Sequence, residues 1–266
     1  MGAEMCIRDS DINYLAIGGL LSQQKPPAVP PVLISDLSSG MYGALAIIAG
    51  LMDRQKTGGG CNIDLSMTDC ILSWMALDIA RTANAPVGDS PPFLENIPHY
   101  GIFETSDNRY ISIGIVHEDH FWTHLCDALG LADWRDWSSE IRITHEAEIR
   151  EKLRTVFSSG SCKEWDQRLS EADVPCGIIY NLDELKDVPY IKYRNPFYNI
   201  VASDETASRQ VKSPFRTDQP DVREPLPPPV QGEHSRIILS ESGYADNEIE
   251  DLIQQGVISE FPDEDK

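Results

Sequence analysis

Residues 36–67, DLSSGMYGALAIIAGLMDRQKTGGGCNIDLSM, contain the most informative pattern of the sequence. Its first half is apolar and rich in glycine and alanine, which predicts a buried helix over 38–54 that a neighbouring backbone can approach closely. The glycines at 58–60 predict the end of that helix. Residues 61–67 alternate in polarity and predict a strand, and the mostly apolar residues 70–81 predict a second buried helix.

Asp36 stands where a short apolar run, 32–36, meets the predicted helix 38–54. The run predicts a strand, and two interpretations of the aspartate are open. An N-cap aspartate satisfies free backbone N–H groups at a helix start. A carboxylate at a strand-to-helix junction is also the usual position for chemistry in open α/β folds. A helix N-terminus favours the charged carboxylate, which suits a base or a nucleophile.

Two further motifs favour structural roles. Thr57-Gly58-Gly59-Gly60 follows a helix and precedes a predicted strand, which is the reverse of the order in a phosphate-binding loop, so it predicts a C-cap and turn. His120 and His124 lie one turn apart on a predicted helix, but the His-Glu-x-x-His order of a zinc hydrolase is absent, and no metal site is predicted. Glu118, beyond a predicted strand, is a candidate carboxylate for orienting a catalytic group.

The charge balance excludes two classes of partner. The 266 residues include 22 Lys and Arg against 43 Asp and Glu, a net charge of −21. Nucleic acids and anionic membranes both require a basic face, so neither is an expected partner. The longest apolar run, 41–52, is too short to span a bilayer. Six scattered cysteines without a Cys-x-x-Cys pair predict reduced thiols in a cytoplasmic protein.

Proline-rich stretches divide the chain. A helix over 11–22 precedes the stretch described above, and an α+β unit follows it, with predicted strands 100–105 and 110–116. Its predicted helices are 119–129, 146–158 and 162–172, and a helix pair, 235–242 and 245–255, comes near the end. The expected division is a non-native leader (1–10), the remnant of a large domain (11–81), a linker (82–98), a small α+β domain (99–213), a Pro-rich linker (214–230), C-terminal helices that return to the large domain (231–259) and an acidic tail (260–266).

Taken together, these segments resemble CoA-transferase family III, the CaiB/BaiF type, and are most similar to its α-methylacyl-CoA racemase branch. The resemblance extends over nearly all of 11–259. Asp11-Ile12-Asn13-Tyr14-Leu15-Ala16 is similar to the G-H-D-I-N-Y-L-A segment of the racemases. Other segments also resemble the corresponding segments of the family: Asp36 to Gly43, Asp53-Arg54 with Thr57 to Gly60, Ile63 to Met67, Phe103 to Asp107, Glu118 to Trp122, Val174 to Gly177, and 232–258.

The resemblance implies an α/β fold: a partial Rossmann-like large domain, a smaller α+β domain, and an interlocked homodimer in intact members. It implies an acyl-CoA thioester substrate and no cofactor beyond the CoA moiety of that substrate. Asp36 is implied as one of two acid/base groups, or as the nucleophile if the protein is a CoA transferase. Glu118, donated across the dimer, is implied to orient a histidine, and the backbone N–H of Asp11 to stabilise the enolate oxygen.

The chain also departs from the family pattern. Ser10 occupies the position of the racemase histidine, and a serine without an activating partner is no base. The resemblance does not include the N-terminal half of the family's members, which makes most contacts to the CoA nucleotide. We therefore expect a truncated protein in which no neighbouring element covers the apolar helices completely. A racemase is therefore the first hypothesis, a CoA transferase the second, and a catalytically incomplete fragment or scaffold the third.

Overall fold

The computed structural model describes residues 10–84, 94, 97–201, 207–218 and 226–259. The chain divides into two compact units, residues 1–179 and 180–266, which are treated separately below. Within the described residues, all strands pair in an antiparallel manner.

The first 75 described residues form helices and connecting loops. Helix α1 spans Asp11–Ile17, α2 spans Ile34–Thr57, α3 spans Met67–Trp74 and α4 spans Ala76–Asn84, with a 3-10 turn at Leu20–Gln23. A small core of Leu15, Ile71 and Met75 joins α1 to α3. Helix α2 ends at Gly58, whose φ of 77° is the left-handed conformation that glycine adopts readily. The predicted C-cap at the glycine run is therefore confirmed.

Two strand predictions in this region are wrong. Residues 32–36 form no strand, because Ile34 already begins α2, and residues 61–66 form neither a strand nor a helix before α3 begins at Met67. A strand requires a neighbour to receive its backbone hydrogen bonds, and no described residue between 10 and 84 supplies one. The predicted helix 70–81 is present as two helices that meet at Met75.

Helix α2 exposes much of its apolar surface. Its exposed apolar side chains include Leu37, Met41, Leu45, Ile48 and Met52. With 24 residues, α2 is long and apolar enough to cross a membrane by length and composition alone, a test that a core helix of a soluble protein also passes. As expected, the other described residues leave much of the apolar surface of this helix exposed.

The rest of the first unit is a three-stranded sheet covered by helices. Strand β1 (Tyr100–Glu104) pairs with β2 (Tyr110–Gly114), which pairs with β3 (Cys176–Ile178). Helices α5 (Asp119–Leu129), α6 (Ser139–Thr144), α7 (Glu146–Phe157) and α8 (Cys162–Glu171) pack around one core. Its largest fully buried side chains include Trp122, Phe157 and Leu153.

The predicted elements of this sheet unit are confirmed to within two residues at their ends, while α6 and β3 were not predicted. Ser161 explains why α8 begins where it does. Its hydroxyl accepts the N–H of Glu164, and the Glu164 side chain accepts the N–H of Ser161 in return.

The second unit, residues 180–266, contains short elements. A 3-10 turn (Leu185–Asp187) leads into α9 (Pro189–Arg194), and β4 (Phe197–Val201) pairs with β5 (Ala207–Val211). The predicted C-terminal pair is confirmed as α10 (Ser235–Glu241) and α11 (Asp246–Gln254). The predicted domain division, including the return of these helices to the large domain, stays a prediction, since its leader (1–10), linkers and tail lie wholly or partly outside the described residues.

Candidate active site

Two helix N-termini meet at Asp11. Its Oδ1 accepts the backbone N–H of Ser35 at 2.7 Å and of Asp36 at 3.3 Å, and it also accepts the Ser35 hydroxyl at 2.7 Å. Asp11 is the first residue of α1, so its carboxylate caps α2 from a neighbouring helix. Ser35 is fully buried beneath this contact. The arrangement places the positive ends of two helix dipoles side by side.

Asp36 lies in the first turn of α2, three residues after the N-cap position. The N-cap interpretation is therefore wrong: Leu33 occupies the N-cap, and Asp11 supplies the capping oxygen. The Asp36 side chain is exposed, and no hydrogen bond or ion pair within the described residues engages its carboxylate. An accessible carboxylate can remove a proton or attack a carbonyl.

The backbone N–H of Asp11 lies in the first turn of α1. Ser10, the N-cap of α1, has extended φ and ψ angles of −144° and 153° and makes no side-chain cap. N–H groups in the first turn of a helix lack partners within that helix and point along its dipole toward an incoming negative charge. The structure thus brings together Ser10, Asp11 and Asp36, although the role of the Asp11 N–H stays a prediction.

Glu118 makes its hydrogen bonds within its own segment. It is the N-cap of α5, and its Oε2 accepts the backbone N–H groups of Val116 and His117, each at 3.0 Å. These hydrogen bonds, that of Val116 first, hold the pKa of Glu118 below its usual range. No hydrogen bond among the described residues joins Glu118 to Asp11 or Asp36. The role of Glu118 across a dimer stays a prediction.

Sequence reasoning missed a buried polar cluster behind Glu118. Arg142 is fully buried, forms an ion pair with Asp119, and lies 5.2 Å from the ring centre of Trp122. Its Nη1 is 3.5 Å from Nε2 of His99. Burial, and then the charge of Arg142, lowers the pKa of His99 to about 3, so its ring is neutral. The cluster could not be predicted because α6, which carries Arg142, lacks an apolar period.

The described residues offer no group of three or more His, Cys, Asp or Glu side chains placed to hold a metal ion. The rings of His120 and His124 are 6.0 Å apart, centre to centre. The five described cysteines are free thiols, as predicted. Burial raises the pKa of Cys126 to about 12, which makes it a packing group.

Comparison with proteins of known identity gives the family. The model of CoA-transferase family III matches residues 7–235. Human alpha-methylacyl-CoA racemase is 26% identical over 257 residues, which is 93% of this chain and 66% of that protein. Succinate–glutarate CoA-transferase of Agrobacterium fabrum is 25% identical over 224 residues, which is 81% of this chain and 55% of that protein. Formyl-CoA:oxalate CoA-transferase of Escherichia coli O157:H7 is 24% identical over 266 residues, which is 88% of this chain and 62% of that protein. The chain therefore spans less than two thirds of the length of each of these relatives.

Solved structures agree on the fold. A crystal structure of a CAIB/BAIF family protein from Brucella suis superposes with a TM-score of 0.69 at 22% identity, covering 87% of this chain and 62% of that one. A crystal structure of a Mycobacterium tuberculosis protein superposes with a TM-score of 0.70 at 21% identity, covering 86% of this chain and 63% of that one. The family model covers most of the sequence and the fold is shared, and so the chain belongs to CoA-transferase family III.

Proposed function

We propose that this protein acts on acyl-CoA thioesters as a racemase, exchanging the α-proton of a 2-methylacyl-CoA with Asp36 as one acid/base group. The observation that carries the proposal is the exposed Asp36, whose backbone N–H donates to the Asp11 carboxylate at the start of α1. The name of the human relative supports the choice of reaction. No cofactor beyond the CoA moiety is proposed.

The proposed reaction begins with removal of the α-proton by the Asp36 carboxylate. The C–H electron pair moves into the thioester, leaving an enolate oxygen that the N–H of Asp11 stabilises, aided by the helix dipole. Return of a proton to the same face regenerates the substrate, and delivery to the opposite face gives the epimer. Ser10 holds the position from which the opposite face is served, so we expect exchange to be faster than inversion.

Two further parts of the proposal concern assembly and location. We propose a homodimer in which Glu118 of one subunit serves the site of the other, because no hydrogen bond among the described residues joins this carboxylate to Asp36 within one chain. We place the protein in the cytoplasm, which the free thiols of the described residues support.

A CoA transferase is the second candidate, favoured by the names of two of the relatives above and by the accessibility of Asp36. In that reaction the Asp36 carboxylate attacks the thioester carbonyl and CoA leaves as a thiolate. The thiolate then attacks the Asp36 carbonyl, which gives an aspartyl-CoA thioester and releases the acyl group as a carboxylate. Hydroxylamine would trap that thioester on the peptide that contains Asp36.

The test is exchange of the α-hydrogen of 2-methylbutanoyl-CoA in heavy water. We expect the wild type to incorporate one deuterium, Asp36→Asn to lose incorporation, and Asp53→Asn to retain it. Asp53 is a matched control because it is exposed on the same helix and makes no side-chain contact with the site. Hydroxylamine trapping without exchange would transfer the assignment to the CoA transferase. Neither exchange nor trapping would favour the catalytically incomplete protein that Ser10 suggests.

A further inference from the structure

A fully buried arginine contacts the segment 116–119, which carries Glu118. Arg142, in the last turn of α6, pairs through its Nη2 with Oδ1 of Asp119, the residue that follows Glu118. The same nitrogen donates to the hydroxyl of Ser139 at 2.7 Å. The side chain of Asp119 is 74% exposed, so the ion pair joins a buried cation to the surface at the start of α5.

The other end of this segment lies against the same cluster. Nε2 of the buried His99 is 3.5 Å from Nη1 of Arg142. Burial lowers the pKa of His99 most and the backbone of Val116 raises it, so the ring lies beside the residue whose N–H donates to Glu118. Trp122 packs against both buried groups, since its ring centre is 5.2 Å from the Arg142 guanidinium and 5.0 Å from the His99 ring.

Stability alone does not explain an arginine at this position. Nε of Arg142 is buried, and no described residue accepts a hydrogen bond from it. A buried donor without a partner costs free energy, and an apolar side chain of similar volume often replaces a buried ion pair without loss of stability. What the guanidinium does in this structure is hold the Asp119 carboxylate, and with it the start of α5.

The orientation of the Glu118 carboxylate depends on the backbone of this segment. Its Oε2 accepts the N–H groups of Val116 and His117, each at 3.0 Å, and its carbonyl oxygen accepts those of Phe121 and Trp122 at 3.1 and 3.2 Å. All four donors lie within four residues of Glu118. A shift of the backbone would therefore release the carboxylate from its two N–H donors and let the side chain turn.

We propose that Arg142 and Asp119 are positioning residues, whose ion pair fixes the segment 116–119 and so keeps the Glu118 carboxylate in one orientation. Without the pair, this carboxylate would face the site of the other subunit for only part of the time. The consequence for the reaction rests on the proposed role of Glu118 across the dimer. The positioning itself is a property of one chain.

The pKa of Glu118, followed in the full chain by NMR of its carboxyl carbon, separates positioning from a simple charge effect. Asp119→Asn removes a neighbouring negative charge, which by itself would lower this pKa further. Loss of the ordered N–H donors raises it, and we expect the rise. The matched control is Asp127→Asn, which breaks an ion pair with Arg135 from the same helix and should leave the pKa of Glu118 unchanged. A fall or no change in Asp119→Asn would overturn the proposal.

Amide hydrogen exchange tests the segment directly. In Asp119→Asn the N–H groups of Val116 and His117 should exchange about tenfold faster, while strand β2, which is paired on both sides, stays protected. Arg142→Met fills the buried space with an apolar side chain and should give the same local change. Equally faster exchange in β2 would show that the pair stabilises the whole unit, which is incompatible with a positioning role.

Kinetics connect the ion pair to the proposed reaction. In exchange of the α-hydrogen of 2-methylbutanoyl-CoA, Glu118→Gln and Asp119→Asn should each lower kcat about tenfold with little change in KM. The double variant should be no slower than Glu118→Gln, because both changes act through one carboxylate; multiplied losses would overturn the proposal. No exchange by the wild type would contradict the proposed function alone, since the NMR measurements need no substrate and still decide whether the pair positions Glu118.

Discussion

Lowering the pH from 7 to 5 should destabilise the first unit through His99. This side chain is 2% exposed, its ring centre lies 5.0 Å from that of Trp122, and the charges of Arg142 and Arg150 oppose its protonation more than Glu118 favours it. Its pKa of about 3 keeps it neutral in the folded protein at pH 5, whereas an unfolded chain binds a proton near pH 6.5. Stability is therefore lost as the pH falls below 6.5. At pH 5 the loss in the free energy of unfolding is about 2 kcal/mol.

Urea unfolding followed by tryptophan fluorescence measures this loss, because all five tryptophans lie in the first unit. His99→Gln has no charge to gain, so its free energy of unfolding should change by about 2 kcal/mol less than that of the wild type between pH 7 and pH 5. The exposed His120→Gln is the control and should behave as the wild type. Carboxylates with a lowered pKa, such as Glu118, lose their contribution only below this range. A full pH-dependent loss in His99→Gln would show that His99 is not the group responsible.

Four further results are expected. Asp11→Ala should lower the free energy of unfolding by about 1–2 kcal/mol, since α2 loses its capping oxygen; an unchanged urea midpoint would contradict that role. Ser10→His should speed inversion of 2-methylbutanoyl-CoA relative to exchange of its α-hydrogen, because histidine can serve as the second base. Chiral chromatography measures the inversion, and Ser10→Ala is the control. Leu45→Lys should reduce binding of a hydrophobic dye and aggregation in light scattering, because Leu45 is 61% exposed on α2. Iodoacetamide should label the exposed Cys61 in the native protein and spare the buried Cys126, as peptide mass spectrometry would show.

The sequence predicted those elements whose signals are local. The helix at Asp119–Leu129 is amphipathic and ends at Gly130, and the hairpin of β1 and β2 has alternating apolar residues on either side of a polar turn. Both features are present in the residues themselves. The run at 32–36 is equally apolar, but whether it becomes a strand depends on a partner that no local pattern reveals.

The candidate site also depends on contacts between distant residues that no local sequence pattern reveals. Asp36 could be singled out because it stands at the start of an apolar helix, but its capping partner Asp11 is 25 residues away in sequence. Only the tertiary fold brings the Asp11 carboxylate to the backbone N–H of Asp36. Arg142 and His99 are 43 residues apart and belong to no motif, so their burial in one cluster had no signal in the sequence.

The most direct test of the central claim is the mass of 2-methylbutanoyl-CoA after incubation with the protein in heavy water. We expect one deuterium at the α-carbon with the wild type and with Asp53→Asn, and none with Asp36→Asn. Equal incorporation by the wild type and Asp36→Asn would contradict the claim that the carboxylate at the start of α2 moves the α-proton.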